Sequence, residues 1–322
     1  MFSELPKIFD RNYAIGYFLP VAVFLVVSLG LIKGYGLLPQ LLPLDQRKDL
    51  LLGTTVLGLI SWLGGICLLA TNRYILRMKE GYGRLNPANF LMPIQRKHYR
   101  QLREEIAQLE EHCRVYGSKG EEIPSRLLNS LGTLMQQETI QFPDEEAWLL
   151  PTAFGNTIRA FEVYPRVMYG LDAIPGWLRI LAVIPKDYRE LVDNAKAQVD
   201  FWLNLWFLSI LMIFEYVCIA LYTRELKLLL WPPGTLVFTL IASYGARSSA
   251  AMWGEWVKAI FDVFLSDLRT KLGFPPPATK EQEQKLWGAF SQAIIYRRPS
   301  VMATAWTAVP SEHKKENLSS EL

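Results

Sequence analysis

The chain has 322 residues, 51% of them hydrophobic and 20% charged, with a net charge of +3. That length allows one or two domains, and the composition fits a membrane bundle joined to a water-facing part. The small net charge, with bases and acids interleaved, argues against a nucleic-acid partner; Cys67, Cys113 and Cys218 lie too far apart for a disulfide framework or a CxxC metal pair.

Tyr13 to Ile32 carries no charge. At about 1.5 Å per residue this run is long enough to cross a hydrocarbon layer of roughly 30 Å. Lys7 and Arg11 give it the basic flank of a signal peptide, but the run is longer than a signal-peptide core and leads to Lys33-Gly34-Tyr35-Gly36 without an A-x-A site, so a retained anchor is expected. Asn12 stands where a helix cap belongs. Pro20 lies inside the run, where a neighbouring helix must satisfy the carbonyl it leaves open.

Leu50 to Thr71 repeats the pattern, with small residues at Thr54, Gly58, Ser61 and Gly65 forming a stripe on which another helix backbone can approach closely. It ends in Asn72-Arg73-Tyr74 and Arg77-Met78-Lys79, the densest positive charge beside any run, which places that end in the cytoplasm. Lys33, Arg47 and Lys48 in the opposite loop weaken this bias without reversing it.

The stretch from Gly81 to Asp200 reads as water-facing. Pro93 to Tyr116 is expected to be helical, with Tyr99, Leu102, Ile106, Leu109 and Cys113 on one face and Gly117 as its end. Pro124-Ser125 opens a second helix that Phe142-Pro143-Asp144 breaks. Pro151-Thr152 starts a third.

The third run, Phe201 to Tyr222, is expected to continue a helix that starts near Asp187, giving roughly 36 residues or about 54 Å and a rigid link to the bilayer. Leu228 to Ala246 is the fourth run; Trp231-Pro232-Pro233-Gly234 near its start leaves a short span as the preferred reading and a re-entrant segment as its rival. After Arg247, Trp253, Trp256, Val257, Ile260, Phe261, Phe264, Leu265 and Leu268 follow a 3.6-residue period, which predicts an amphipathic helix with Glu255, Lys258, Asp262 and Asp267 opposite. Pro275-Pro276-Pro277 ends it before a shorter helix over Lys280 to Tyr296.

The string Leu150-Pro151-Thr152, Gly155-Asn156, Arg159-Ala160, Glu162, Tyr169-Gly170-x-Asp172, Trp177-Leu178-Arg179 and Pro185 resembles a pattern in uncharacterised bacterial multi-pass membrane proteins, where a GN-x-x-RA-x-E helix leads to a YG-x-D turn. The likeness continues at Ala259-Ile260-Phe261-Asp262, Leu268-Arg269 and Lys285-Leu286-Trp287. It implies a membrane location and brings no activity with it.

Two sets of residues are candidate sites. Glu215 lies among Ile213, Phe214, Tyr216 and Val217, where a carboxylate is expensive, and Asn204 lies three turns earlier on the same face. A Glu215 hydrogen-bonded near the outer interface, within reach of Arg224 or Lys227, is the preferred reading over a transport role. Asn156, Arg159, Glu162, Tyr169, Asp172 and Arg179 form the second set. A cleft binding a small anion through Arg159, Arg166 and Arg179 is the sharp reading, and a helix-turn brace is the preferred one. No serine, cysteine or histidine nucleophile accompanies it. His98, His112 and His313 are the only histidines, and His112-Cys113 lacks further ligands, so neither metal nor cofactor is expected.

The expected protein is all-α and polytopic, with four transmembrane helices, a helical cytoplasmic domain and both termini on the cytoplasmic side of the inner (plasma) membrane. Its divisions are a transmembrane hairpin over 1–72, a cytoplasmic domain over 73–200, a second hairpin over 201–247, amphipathic helices over 248–300 and a flexible tail over 301–322. The expected role is a non-enzymatic scaffold or interaction protein, with the lipid bilayer and either a protein partner or a second copy as its partners. An ion channel or transporter using Asn204 and Glu215 is the alternative. A lipid-acting enzyme has only Arg159, Glu162 and Asp172 behind it.

Overall fold

A computed structural model describes residues 11–35 and 50–299. Lys7, Arg47, Lys48, His313 and the tail expected over 301–322 lie outside the described residues. The helices are α1 (Arg11–Gly34), α2 (Leu50–Glu80), α3 (Met92–Lys119), α4 (Ser125–Gln141), α5 (Ala153–Tyr169), α6 (Ala173–Ile180), α7 (Lys186–Thr223), α8 (Pro232–Lys271) and α9 (Lys280–Ile295). No strand occurs among the described residues, so the fold is all-α. Four helices, α1, α2, α7 and α8, are long and apolar enough to cross a membrane.

Several boundaries differ from the sequence reading for local reasons. Asn12 lies inside α1, which is already helical at Arg11. The chain passes Gly117 and leaves α3 only after Lys119, where Gly120 takes φ +69°; an exposed glycine costs a helix about 1 kcal/mol and does not by itself end it. The division expected at Arg247 is absent, because α8 runs unbroken for 40 residues. Its Pro232 and Pro233 occupy the first turn, where a missing N–H costs nothing. Ala242, Ala246 and Ala250 then recur every fourth residue, all fully buried, and that spacing keeps one small-residue face along the helix. The fourth apolar run thus lies within one uninterrupted helix that is long and apolar enough to cross a membrane.

By contact the chain forms two compact units. The first takes the described residues of Met1–Gln101, Leu149–Ile158 and Leu191–Trp253, and the second those of Leu102–Trp148, Arg159–Glu190 and Gly254–Leu322. This is not the linear division expected at residues 72, 200 and 247. The chain emerging from α2 packs with the apolar helices of the first unit instead of with the charged segment that follows it.

In the first unit Pro20 explains a local irregularity. Lacking an N–H, it cannot serve the carbonyl of Gly16 four residues earlier. The chain winds a π turn over Ala14–Phe18 just before it, and the Asn204 side chain of α7 donates from Nδ2 to the Gly16 carbonyl at 2.8 Å. The outside partner that the sequence demanded is therefore Asn204. α1 lies close on α2: a Cβ at Gly64 would come within 2.8 Å of Val21, and one at Gly65 within 2.5 Å of the Tyr13 hydroxyl. The lower part of the small-residue stripe thus packs on α1, whereas Gly58 has nothing within 4 Å.

The far end of α2 is closed by the Leu150-Pro151-Thr152 motif. Thr152 Oγ1 donates to the carbonyls of Lys79 and Glu80 (2.9 and 3.1 Å) and accepts the Gly155 N–H at 2.9 Å, so one hydroxyl caps the end of α2 and the start of α5. Gly155 is required there, since a Cβ would strike the Glu80 carbonyl.

The second unit has an ordinary apolar core, with Trp287, Phe261, Leu171, Ile180 and Ile260 fully buried. Phe274, Trp287 and Phe290 meet edge to face with centroids 5.5–5.8 Å apart, a favourable aromatic geometry. The expected face of α3 fades along its length: Leu102 and Ile106 are buried, and Leu109 and Cys113 only half-buried. α5 and α6 are joined at Gly170, whose φ of +79° and contact with the Gln284 backbone leave no room for a side chain.

Candidate functional site

The six residues of the second candidate set are divided between the two units. Asn156, in the first unit, is fully buried; its Oδ1 accepts the Leu150 N–H at 2.6 Å and its Nδ2 donates to Gln95 Oε1 at 3.1 Å. The others belong to the second unit. Arg159 Nη1 lies 3.4 Å from Glu162 Oε2, as the i,i+3 spacing predicts; partial burial pushes the Glu162 carboxyl up while Arg159 pulls it back. Arg166 Nε sits 3.8 Å from Asp172 Oδ1, and the Asp172 N–H donates to Ser291 Oγ at 2.9 Å. Arg179 Nη1 donates to the Pro175 carbonyl at 2.8 Å with its guanidinium 5.7 Å from the Phe290 ring centre. The three guanidinium groups expected to converge on an anion have three separate partners: Glu162, Asp172 and a backbone carbonyl.

Tyr169 leads elsewhere. Its hydroxyl donates to Asp262 Oδ1 at 2.7 Å, and Tyr164 donates to the same oxygen at 2.8 Å. Burial, and then the Asp262 charge, push the Tyr164 phenol up to about 12 and hold Tyr169 well above the ordinary tyrosine range. Both phenols therefore stay protonated donors at neutral pH. Tyr164 and Asp262 line a cavity of about 420 Å³ with Arg103, Glu138, Glu255 and Lys258. Arg103 Nε donates to Glu138 Oε1 at 2.6 Å and its Nη2 to the Asp144 carbonyl at 2.8 Å. Lys258 Nζ donates to Glu255 Oε1 at 2.8 Å and lies 5.7 Å from the Tyr164 ring centre.

The cavity wall holds two cations, Arg103 and Lys258, against four carboxylates, Glu138, Asp144, Glu255 and Asp262. The lining has no serine, cysteine or histidine, and its other uncharged polar side chain besides Tyr164 is Thr139. Glu162, the carboxylate that burial pushes up, is not part of the lining. The sequence reading placed Asp262 on the outer face of an amphipathic helix and did not single out Tyr164. Ninety-eight residues separate the two, and no local spacing signals a contact at that range.

Several polar residues of the first unit form hydrogen bonds between helices. Asp200 is only 5% exposed, yet its carboxylate accepts Tyr17 Oη at 2.7 Å, Asn72 Nδ2 at 3.1 Å and Lys196 Nζ at 2.8 and 2.9 Å. One side chain thus joins α1, α2 and α7. Glu215 Oε2 accepts the Ser28 hydroxyl at 2.6 Å, so its partner is α1 and not Arg224 or Lys227. Thr239 Oγ1 donates to Ser209 Oγ at 2.8 Å, and Lys79 Nζ donates to Ser243 Oγ while lying 4.2 Å from the Trp206 ring centre. Asn204 and Glu215 share a face of α7 as expected, but each bonds separately to α1; the Asn204 Oδ1 is buried without a hydrogen-bond donor. The sequence reading passed over Asp200, because an acid at the edge of an apolar run reads as a solvated flank.

Neither family models, curated proteins nor solved structures match this chain. Its function is argued from its own geometry.

Proposed function

We propose that the chain is a multi-pass protein of the inner (plasma) membrane, with both termini cytoplasmic. In this reading it anchors a helical binding unit and carries out no catalysis; the resemblance of its Gly155-Asn156 to Trp177 string to bacterial multi-pass proteins supports the membrane location alone. The observation that carries the membrane reading is the inverted exposure of the first unit. Val26, Leu59, Phe214, Leu221, Val237 and Leu240 face outward, each more than half exposed, while Asp200, Asn204, Ser209, Ser61 and Thr239 are buried. Water would reverse that arrangement, whereas hydrocarbon favours it, because every polar group left facing lipid costs several kcal/mol. The basic flank of α2 supports the orientation.

The interaction role rests on the second unit. Its cavity has charged walls without serine, cysteine or histidine, and Arg159, Arg166 and Arg179 have local partners. The pairwise ties of Asp200, Asn204, Ser209 and Glu215 favour an anchor over a conducting path, which needs polar groups facing a shared lumen.

Two measurements test this. After detergent-free lysis the chain is expected in the membrane pellet, and protease added to sealed cells should leave residues 73–200 intact; digestion from outside reverses the orientation. Reconstituted in liposomes, the chain and its Glu215→Gln variant are expected to pass no current, and a conductance that Glu215→Gln alters would make it a channel.

A further inference from the structure

The segment that leaves α2 is built, not loose. Gly81 turns the chain with φ +97°, and a 3₁₀ turn follows over Pro87–Leu91. Asn86 Nδ2 donates to the carbonyls of Met78 and Tyr82 at 2.8 and 3.1 Å, while its Oδ1 accepts the Ala88 N–H at 2.9 Å. Asn89 Nδ2 donates to the carbonyls of Gly83 and Arg84 at 2.9 and 3.1 Å. What this hydrogen-bonded loop displays is apolar: Leu85 is 98% exposed and Phe90 72%. A single outward leucine is commonplace, but an ordered loop holding two large apolar side chains outward, with Ile94 beside them, marks a surface that something apolar covers.

Charge narrows what that is. Between Arg73 and Arg100 the chain has seven basic residues and one acid, Glu80. Glu80 is buried, whereas Arg73, Arg84, Arg96 and Lys97 are exposed and form no ion pair among the described residues. The segment also continues directly from an apolar helix long enough to cross a membrane. Apolar side chains beside unpaired cations, at the end of such a helix, match the layer where acyl chains meet anionic headgroups.

We infer that residues 81–97 are a docking surface for anionic phospholipid: Leu85 and Phe90 enter the boundary between headgroups and acyl chains, and Arg84, Arg96 and Lys97 hold the phosphates. The inference rests on the membrane reading above and assigns a lipid class to it. A soluble protein or a second copy is the competing occupant, and the test separates them.

The full chain is placed in nanodiscs of phosphatidylcholine with about 30% phosphatidylglycerol, and the lipids retained on extraction are counted by native mass spectrometry. Retained lipid is expected to be enriched several-fold in phosphatidylglycerol over the disc. The enrichment should fall at about 1 M salt, where the screening length shrinks to about 3 Å. Arg84→Gln, Arg96→Gln and Lys97→Gln together should return it toward the disc ratio, because the three charges that attract the anionic headgroup are gone. Leu85→Ser with Phe90→Ser, at positions too exposed to disturb the fold, should shorten lipid retention by the intact protein. Enrichment absent from the natural chain, or unmoved by both variants, overturns the inference, as does a loop that cross-links to a second copy with no lipid preference. Flotation of the same protein with vesicles keeps the two claims apart: a chain that does not float breaks the membrane reading, and one that floats without preference breaks only the lipid assignment.

Discussion

The two units are made from the same element and solve opposite problems. In the second, Trp287, Phe261 and Leu171 are fully buried while the acids and bases of α3 face outward. In the first, Phe214, Leu221 and Leu240 face outward and Asp200 and Asn204 are inside. What differs is the solvent implied by each sequence. Water penalises an exposed leucine modestly and rewards an exposed glutamate; hydrocarbon reverses both preferences, so polar side chains become ties between helices.

Substitutions that remove those ties should separate the units most sharply. Asp200→Leu strands the Lys196 ammonium, the Tyr17 hydroxyl and the Asn72 amide, and losing one side of a buried pair costs about 3 kcal/mol even with Lys196 partly open to solvent. Thermal unfolding in detergent should fall for the first unit and leave the second unit's transition in place; a shared drop would mean that the two melt as one. Gly155→Ala pushes a methyl into the Glu80 carbonyl and should cost about 1–3 kcal/mol by overpacking, again read in the first transition. Asn204→Leu deletes the donor to Gly16 and exposes a carbonyl with no substitute, which should cost about 1–2 kcal/mol. If that variant is as stable as the natural chain, the π turn satisfies its own carbonyl and Asn204 is there for another reason.

The smallest effect belongs to the second unit and appears only in alkali. Tyr164 ionises at about 12 in the folded chain against an ordinary value of 10.0. A raised folded value means that the folded state holds its proton more tightly. The stabilisation is complete below pH 10 and is lost as pH rises from there to about 12. Asp262→Asn should move phenolate absorbance near 295 nm to lower pH without abolishing the shift, because burial is the larger cause. An unchanged titration would show that Asp262 is not the acceptor.

Helix positions were legible because local rules govern them: four uncharged or nearly uncharged runs, the Pro124-Ser125 start and the Pro275-Pro276-Pro277 stop each act within a turn or two. So was the need for a partner opposite Pro20. The identity of that partner was not, since Asn204 is 188 residues away in the chain. The Arg159–Glu162 pair follows from their i,i+3 spacing, whereas the Arg166–Asp172 pair crosses the turn at Gly170. The cavity instead takes Arg103 from α3, Tyr164 from α5 and Asp262 from α8, a convergence that no spacing encodes.

The Gly16 carbonyl also sets a timetable. Ribosomes add roughly 5–20 residues each second, so the 188 residues that separate Asn204 from Gly16 take on the order of ten to forty seconds to make. During that interval the first helix carries an oxygen whose permanent donor has not been synthesised. A nascent chain halted before α7 should therefore remain beside the insertion machinery, where water can still reach that oxygen, and release into lipid should follow completion of the third long apolar helix.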